Sequence, residues 1–143
     1  MLRMFANLTA SSAASLLLAA GTPSLAGNAK THADAPIHFI CDGAPEAPVC
    51  KALTDVLTQA AKGRDVRLLP EGASISDPHH MMIRFVQNTQ SEDSLSGYLL
   101  WQTAGGAPET GPTLEVSVMD AVLTEKILST FAEQLLKSSN IPM

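Results

Sequence analysis

The two cysteines, Cys41 and Cys50, offer the clearest chemistry in the sequence, and eight residues separate them. In an exported protein, two cysteines at such a spacing usually form a structural disulfide, because the compartment is oxidising. The Cys-X-X-Cys spacing that favours thiol–disulfide exchange is absent, so exchange is the weaker alternative. A zinc site using both thiols would need further ligands, and only His38 is an obvious one. The sequence therefore predicts a structural disulfide.

A second group with chemical potential is the run His79-His80-Met81-Met82. Imidazole and thioether ligands together suit copper, particularly Cu(I). Adjacent residues of a strand point to opposite faces, so one pocket would collect alternate members, such as His80 with Met82. The run therefore predicts a candidate copper site at His79, His80 and Met82, with His38 as a further ligand. The alternative is that both histidines are exposed loop residues, while both methionines start a strand and fill the core.

Other catalytic motifs are missing from the sequence. No serine lies in a Gly-X-Ser-X-Gly elbow, and no HEXXH pair is present. The pair Gly105-Gly106 lacks the following Lys-Ser/Thr of a phosphate-binding loop. We therefore expect no catalytic residues, and no cofactor other than the candidate copper ion.

The N-terminus has the pattern of a secretory signal peptide. Arg3 precedes an apolar run, residues 13–20, and Ser24-Leu25-Ala26 places small residues where a signal peptidase reads. The apolar run is far shorter than the roughly 20 residues that span a bilayer. We predict a signal peptide over residues 1–26 and a periplasmic or secreted protein, with no stable membrane span after cleavage.

The predicted mature chain has 117 residues, which suits one small domain. Losing residues 1–26 removes one basic residue and changes the formal net charge from −5 to −6. Nucleic-acid binding needs clustered Lys and Arg, and here the basic residues are scattered. We expect no nucleic-acid partner, a flexible leader over residues 27–36 and a single domain over residues 37–143.

Hydrophobic periodicity within that domain predicts five strands and two helices. Alternating residues indicate strands, whereas apolar residues at helical spacing follow Pro48 and follow a cap at Asp120 or Thr124. The order is β-α-β-β-β-β-α. It predicts an α+β two-layer sandwich: a five-stranded, mostly antiparallel sheet with two helices on one face. The predicted strands span residues 37–41, 66–69, 82–88, 95–103 and 114–118.

This element order resembles, in topology alone, the small periplasmic domains at the N-terminus of TolB-like translocation proteins. Shared topology does not establish shared function. A sheet covered on one face leaves the other face for partners, and we predict a partner-binding patch there at Tyr98, Leu100 and Met119. The sequence thus favours a non-catalytic binding or accessory module, a protein–protein adaptor in an envelope or secreted complex. The alternative function is copper binding at the His79–Met82 segment.

Overall fold

The computed structural model describes residues 35–73 and 79–143, and these residues form one mixed sheet with two helices. The predicted signal peptide and residues 27–34 of the predicted leader lie outside them. The elements are β1 (Ile37–Cys41), α1 (Pro48–Ala60), β2 (Val66–Leu69), β3 (Met81–Gln90), β4 (Ser94–Gln102), β5 (Glu109–Thr110), β6 (Leu114–Ser117) and α2 (Glu125–Ser139).

Strand β1 lies inside the sheet, parallel to the edge strand β2 on one side and to β3 on the other. Helix α1 makes the crossover that a parallel β1–β2 pair requires. Strand β4 is antiparallel to β3, and its far edge pairs with β5 near Trp101 and with β6 near Ser96. The predicted α+β class and the predominantly antiparallel sheet are confirmed. The two-residue β5 lies within a segment for which the sequence predicted only a turn.

Both helices begin as the sequence predicts. Pro48 occupies the first turn of α1, where a missing N–H costs no hydrogen bond. Thr124, and not Asp120, caps α2: its hydroxyl accepts a hydrogen bond from the Ile127 N–H at 3.4 Å. Asn140 ends α2 in the left-handed conformation that commonly terminates helices.

The hydrophobic core lies between one face of the sheet and the two helices. Alternate residues of β1, β3 and β4 point into it, so the period-2 pattern of these strands reflects burial. Trp101 is among them at 6% exposure, and its indole N–H donates to Glu109 on β5 at 2.9 Å. The largest fully buried side chains of this core are Phe39, Phe85, Ile37, Leu53, Leu57, Ile83, Leu95, Leu99 and Leu135.

Within the described residues, tertiary contacts include Ala35, two residues before β1. Ala35 is buried, and its carbonyl accepts a hydrogen bond from Arg64 Nε at 3.0 Å. The Ile37 N–H donates to the Asp65 carbonyl at 2.8 Å. The loop after α1 therefore holds the residues that lead into β1.

The predicted disulfide is present and joins the end of β1 to the first turn of α1. The Cα atoms of Cys41 and Cys50 are 5.8 Å apart, within the usual range for a disulfide. The two residues are 3% and 0% exposed. Because thiol–disulfide exchange needs access to a sulfur, this burial favours a structural bond over an exchange site.

We predict that the Cys41→Ala/Cys50→Ala double variant keeps its fold but is less stable by about 2.5–3 kcal/mol. Opening a loop of about ten residues frees that much chain entropy in the unfolded state. Urea unfolding of the oxidised protein and the variant measures the difference. Because the bond is buried, dithiothreitol should reduce the folded wild type slowly and the urea-unfolded wild type rapidly. Equal reduction rates, or equal unfolding midpoints for the two proteins, would contradict a structural role.

Gly97 on β4 has no room for a side chain. A Cβ there would lie 2.5 Å from the Phe85 ring and 2.5 Å from the Val86 carbonyl oxygen. We therefore predict that Gly97→Ala destabilises the protein by about 1–3 kcal/mol, as overpacked cores do. The loss of stability caused by Gly97→Ala should be smaller in a Phe85→Leu background, since that substitution removes one of the two clashes. If thermal or urea unfolding shows that the stability losses of the two single variants simply add in the double variant, the Phe85 ring does not restrict position 97.

Candidate functional site

The sheet face that lies opposite the helices carries most of the predicted site residues, and we call it the open face. Neither of the two described helices packs against it, since their buried residues belong to the core on the other side. The strand registers place on this face His38 and Ile40 of β1, Met82, Arg84 and Val86 of β3, and Tyr98, Leu100 and Gln102 of β4.

Two of the three predicted partner-binding residues, Tyr98 and Leu100, lie side by side on this face. Tyr98 is the cross-strand partner of Val86, and Leu100 is the partner of Arg84. Directly opposed residues on one face have their Cβ atoms about 5 Å apart, so these four side chains form one patch. Tyr98, Leu100 and Val86 are each half-buried, which leaves an aromatic and aliphatic surface partly accessible.

An ion pair borders this patch. The Arg84 guanidinium donates to Asp42 Oδ1 from Nη2 at 2.8 Å and from Nε at 3.1 Å. Asp42 follows β1 directly, so the pair connects the end of one strand to the middle of its neighbour. Because both side chains are partly exposed, the pair stabilises the fold by no more than about 1 kcal/mol. Its main effect is to neutralise the arginine and hold it along the open face.

The third predicted residue, Met119, is not on the sheet, and its placement on the open face was wrong. Strand β6 ends at Ser117, and Met119 follows in the loop that leads to α2. That loop is fixed at both ends to the β3–β4 turn by the Val118 N–H to the Asp93 carbonyl (2.8 Å) and the Leu123 N–H to the Glu92 carbonyl (2.9 Å). Met119 is 92% exposed there, at the end of β4 away from Leu100. The alternation of apolar residues continues past Ser117 in the sequence, so it does not show that the strand ends there.

The predicted metal ligands separate into two groups. Met82 lies on the open face beside His38, its partner in the parallel β1–β3 register. The ring of His80, just before β3, lies 4.7 Å from the ring of His38, centroid to centroid, with a tilt of 49°. His79 is exposed in the preceding turn, and Met81 points into the core at 3% exposure. The structure thus brings His38, His80 and Met82 together and places His79 apart in an exposed turn.

No group of three or more His, Cys, Asp or Glu residues suited to a metal ion occurs in ranges 35–73 and 79–143. The third donor beside His38 and His80 is the Met82 thioether, which is a ligand of a different type. The sequence named His38 only as an added ligand, because the distance between residues 38 and 80 along the chain hides their contact. Only the parallel pairing of β1 with β3 makes them neighbours.

A groove that the sequence did not indicate lies between β6 and α2. It is a shallow groove of about 330 Å³. Its apolar walls are Leu114 and Val116 on β6 and Ile127 and Phe131 on α2. The volume is at the lower end for ligand pockets, and polar side chains including Lys126 line the rest. Alternation in β6 and the apolar stripe of α2 were visible in the sequence, but the groove depends on how the two elements pack.

No family model and no curated protein matches the chain. The resemblance to TolB-like domains therefore rests on element order alone. Within the described part of the chain, neither helix has the length and apolar character needed to cross a bilayer.

The contact between the His38 and His80 rings can be tested directly. At a centroid separation of 4.7 Å, ring protons of the two residues should give cross-peaks in a nuclear Overhauser spectrum of the folded protein. His79 is the control, since its exposed position in the turn predicts no cross-peaks to His38. Cross-peaks from His79 in place of His80 would mean that residues 79 and 80 have exchanged roles.

Proposed function

We propose that this protein is an exported, non-catalytic binding module that acts as an adaptor or accessory in an envelope or secreted complex, and that it binds a protein partner through the open face. The observation that carries the proposal is the patch of Val86, Tyr98 and Leu100 on a sheet face that neither helix covers. Accessible apolar surface on one face of a sheet is typical of docking surfaces.

Export is supported by two independent features. The first is the signal-peptide pattern of residues 1–26. The second is the buried Cys41–Cys50 disulfide, a bond that forms and persists mainly in oxidising compartments. In a Gram-negative source the compartment is the periplasm.

The chemistry of the patch indicates what kind of partner it binds. Tyrosine supplies a large rigid contact area with a polar tip, and aromatic residues are enriched in protein interfaces. The only charged side chain within the patch, Arg84, is already paired with Asp42. A partner that presents apolar side chains therefore fits better than a strongly charged one. Pairing along the outer edge of β2, which no described strand occupies, is a second route by which the same partner could extend the sheet.

Site-specific photo-crosslinking in the native envelope tests the proposal. We expect a crosslinking amino acid at position 98 to give one discrete protein adduct. The same amino acid at Thr58, an exposed position on α1, is the matched control and should not give this adduct. An adduct of the same mass from both positions, or from neither, would remove the support for an adaptor that binds through the open face.

A charge substitution in the patch gives the complementary test. Leu100→Glu should weaken capture of the partner by at least tenfold, because it buries a carboxylate in an apolar interface. Ile127→Glu in the groove between β6 and α2 is the comparison variant and should leave capture unchanged. Circular dichroism must show both variants folded. If only Ile127→Glu loses the partner, the groove is the binding surface and the assignment to the open face is wrong.

A further inference from the structure

One end of the open face carries three side chains whose donor atoms all suit a soft metal ion. His38 and Met82 are register partners on neighbouring parallel strands, about 5 Å apart, and both point away from the core. The His80 ring lies against the His38 ring at 4.7 Å. Two imidazoles and one thioether therefore converge although they come from distant parts of the chain.

We propose that His38, His80 and Met82 form a binding site for one Cu(I) ion. This inference is independent of the protein partner proposed above, since Tyr98 and Leu100 lie on a different strand of the same face.

The spacing of the two rings is close to what one metal ion requires. An imidazole nitrogen binds such ions at about 2 Å, which places two ring centroids about 5 Å apart in trigonal or tetrahedral geometry. The observed separation of 4.7 Å is somewhat shorter than this, so on binding an ion the rings would move slightly apart and turn one nitrogen each toward a common point. Both ring nitrogens of His38 and Nδ1 of His80 are buried, so an ion held there would be shielded from bulk water.

The donor set favours Cu(I) over other biological metals. Thioether sulfur is a soft ligand that selects Cu(I), whereas Mg²⁺ and Ca²⁺ require oxygen ligands. Structural zinc is held by four ligands, mostly Cys and His, and the described residues near this site offer no such set. Imidazole binds metal ions in its neutral form and a thioether carries no charge, and Arg67, the register partner of His38 across β1, is paired with Asp65 at 2.7 Å. A neutral ligand set suits a singly charged ion better than a doubly charged one.

The sequence supplies matched controls for every ligand. His79 is the exposed neighbour of His80, and Met81 is the buried neighbour of Met82 that faces the core. A substitution at either control position changes the same residue type one position away from the proposed ligand. The comparison therefore separates a built site from general binding by a His/Met-rich segment.

The test is an anaerobic titration of the exported, disulfide-bonded protein with Cu(I) against a chromophoric Cu(I) chelator. Ascorbate serves as the reductant, because a thiol would open the disulfide and supply ligands of its own. We expect one Cu(I) per chain, with affinity lowered at least tenfold by His38→Gln, His80→Gln and Met82→Leu and unchanged by His79→Gln and Met81→Leu. Equal losses for His79→Gln and His80→Gln, or no binding by the wild type, would overturn the proposal.

X-ray absorption of the copper-loaded wild type avoids any dependence on how the variants fold. The expected first shell contains two nitrogens near 2.0 Å and one sulfur near 2.3 Å. A shell of nitrogen alone would remove Met82 from the site. The three-ligand site proposed here would then be wrong, because the histidines would bind copper without the thioether.

Discussion

The bond between Cys41 and Cys50 is the covalent constraint that ties the helical layer of this structure to its sheet. It joins the last residue of β1 to the first turn of α1, and it is buried in the core that both elements share. With that connection closed, α1 must leave the end of β1 on the core side and return along the sheet. The chain then re-enters the sheet as β2, parallel to β1. A small domain with limited apolar area gains substantially from such a crosslink.

The two sheet faces differ in character because both helices pack against the same one. Both helices cover the face that carries Phe39, Ile83 and Phe85, and these residues are fully buried. The other face keeps half-buried apolar side chains, two histidines and the Arg84–Asp42 pair. The proposed partner-binding patch lies on β3 and β4, and the proposed copper site lies beside it, on β1 and at the start of β3. The open face is not uniformly exposed, however, since Ile40 on β1 is only 2% exposed there.

Strand β1 shows what sequence patterns can predict about this fold. Alternation in residues 37–41 identified both the strand and its two faces, and the structure confirms that Phe39 points into the core. The cysteine spacing identified the disulfide for the same reason: it is a local feature. Strand β5 was missed because two residues are too short to show a period, and Glu109 joins the sheet only through Trp101 and its neighbour on β4. Met119 was misplaced because alternation does not mark where β6 ends.

The sequence by itself determined the α+β class, the order of the long elements, the disulfide and the residue types available for binding. These follow from local periodicity, capping and cysteine spacing, which act over a few residues. Only the tertiary structure decided that β1 lies between β2 and β3, parallel to both, since strand order depends on contacts between distant segments. The same pairing decided that His38, rather than His79, lies beside His80 and Met82. A site assembled from residues some forty positions apart is set by strand register, and register becomes definite only when the whole core packs.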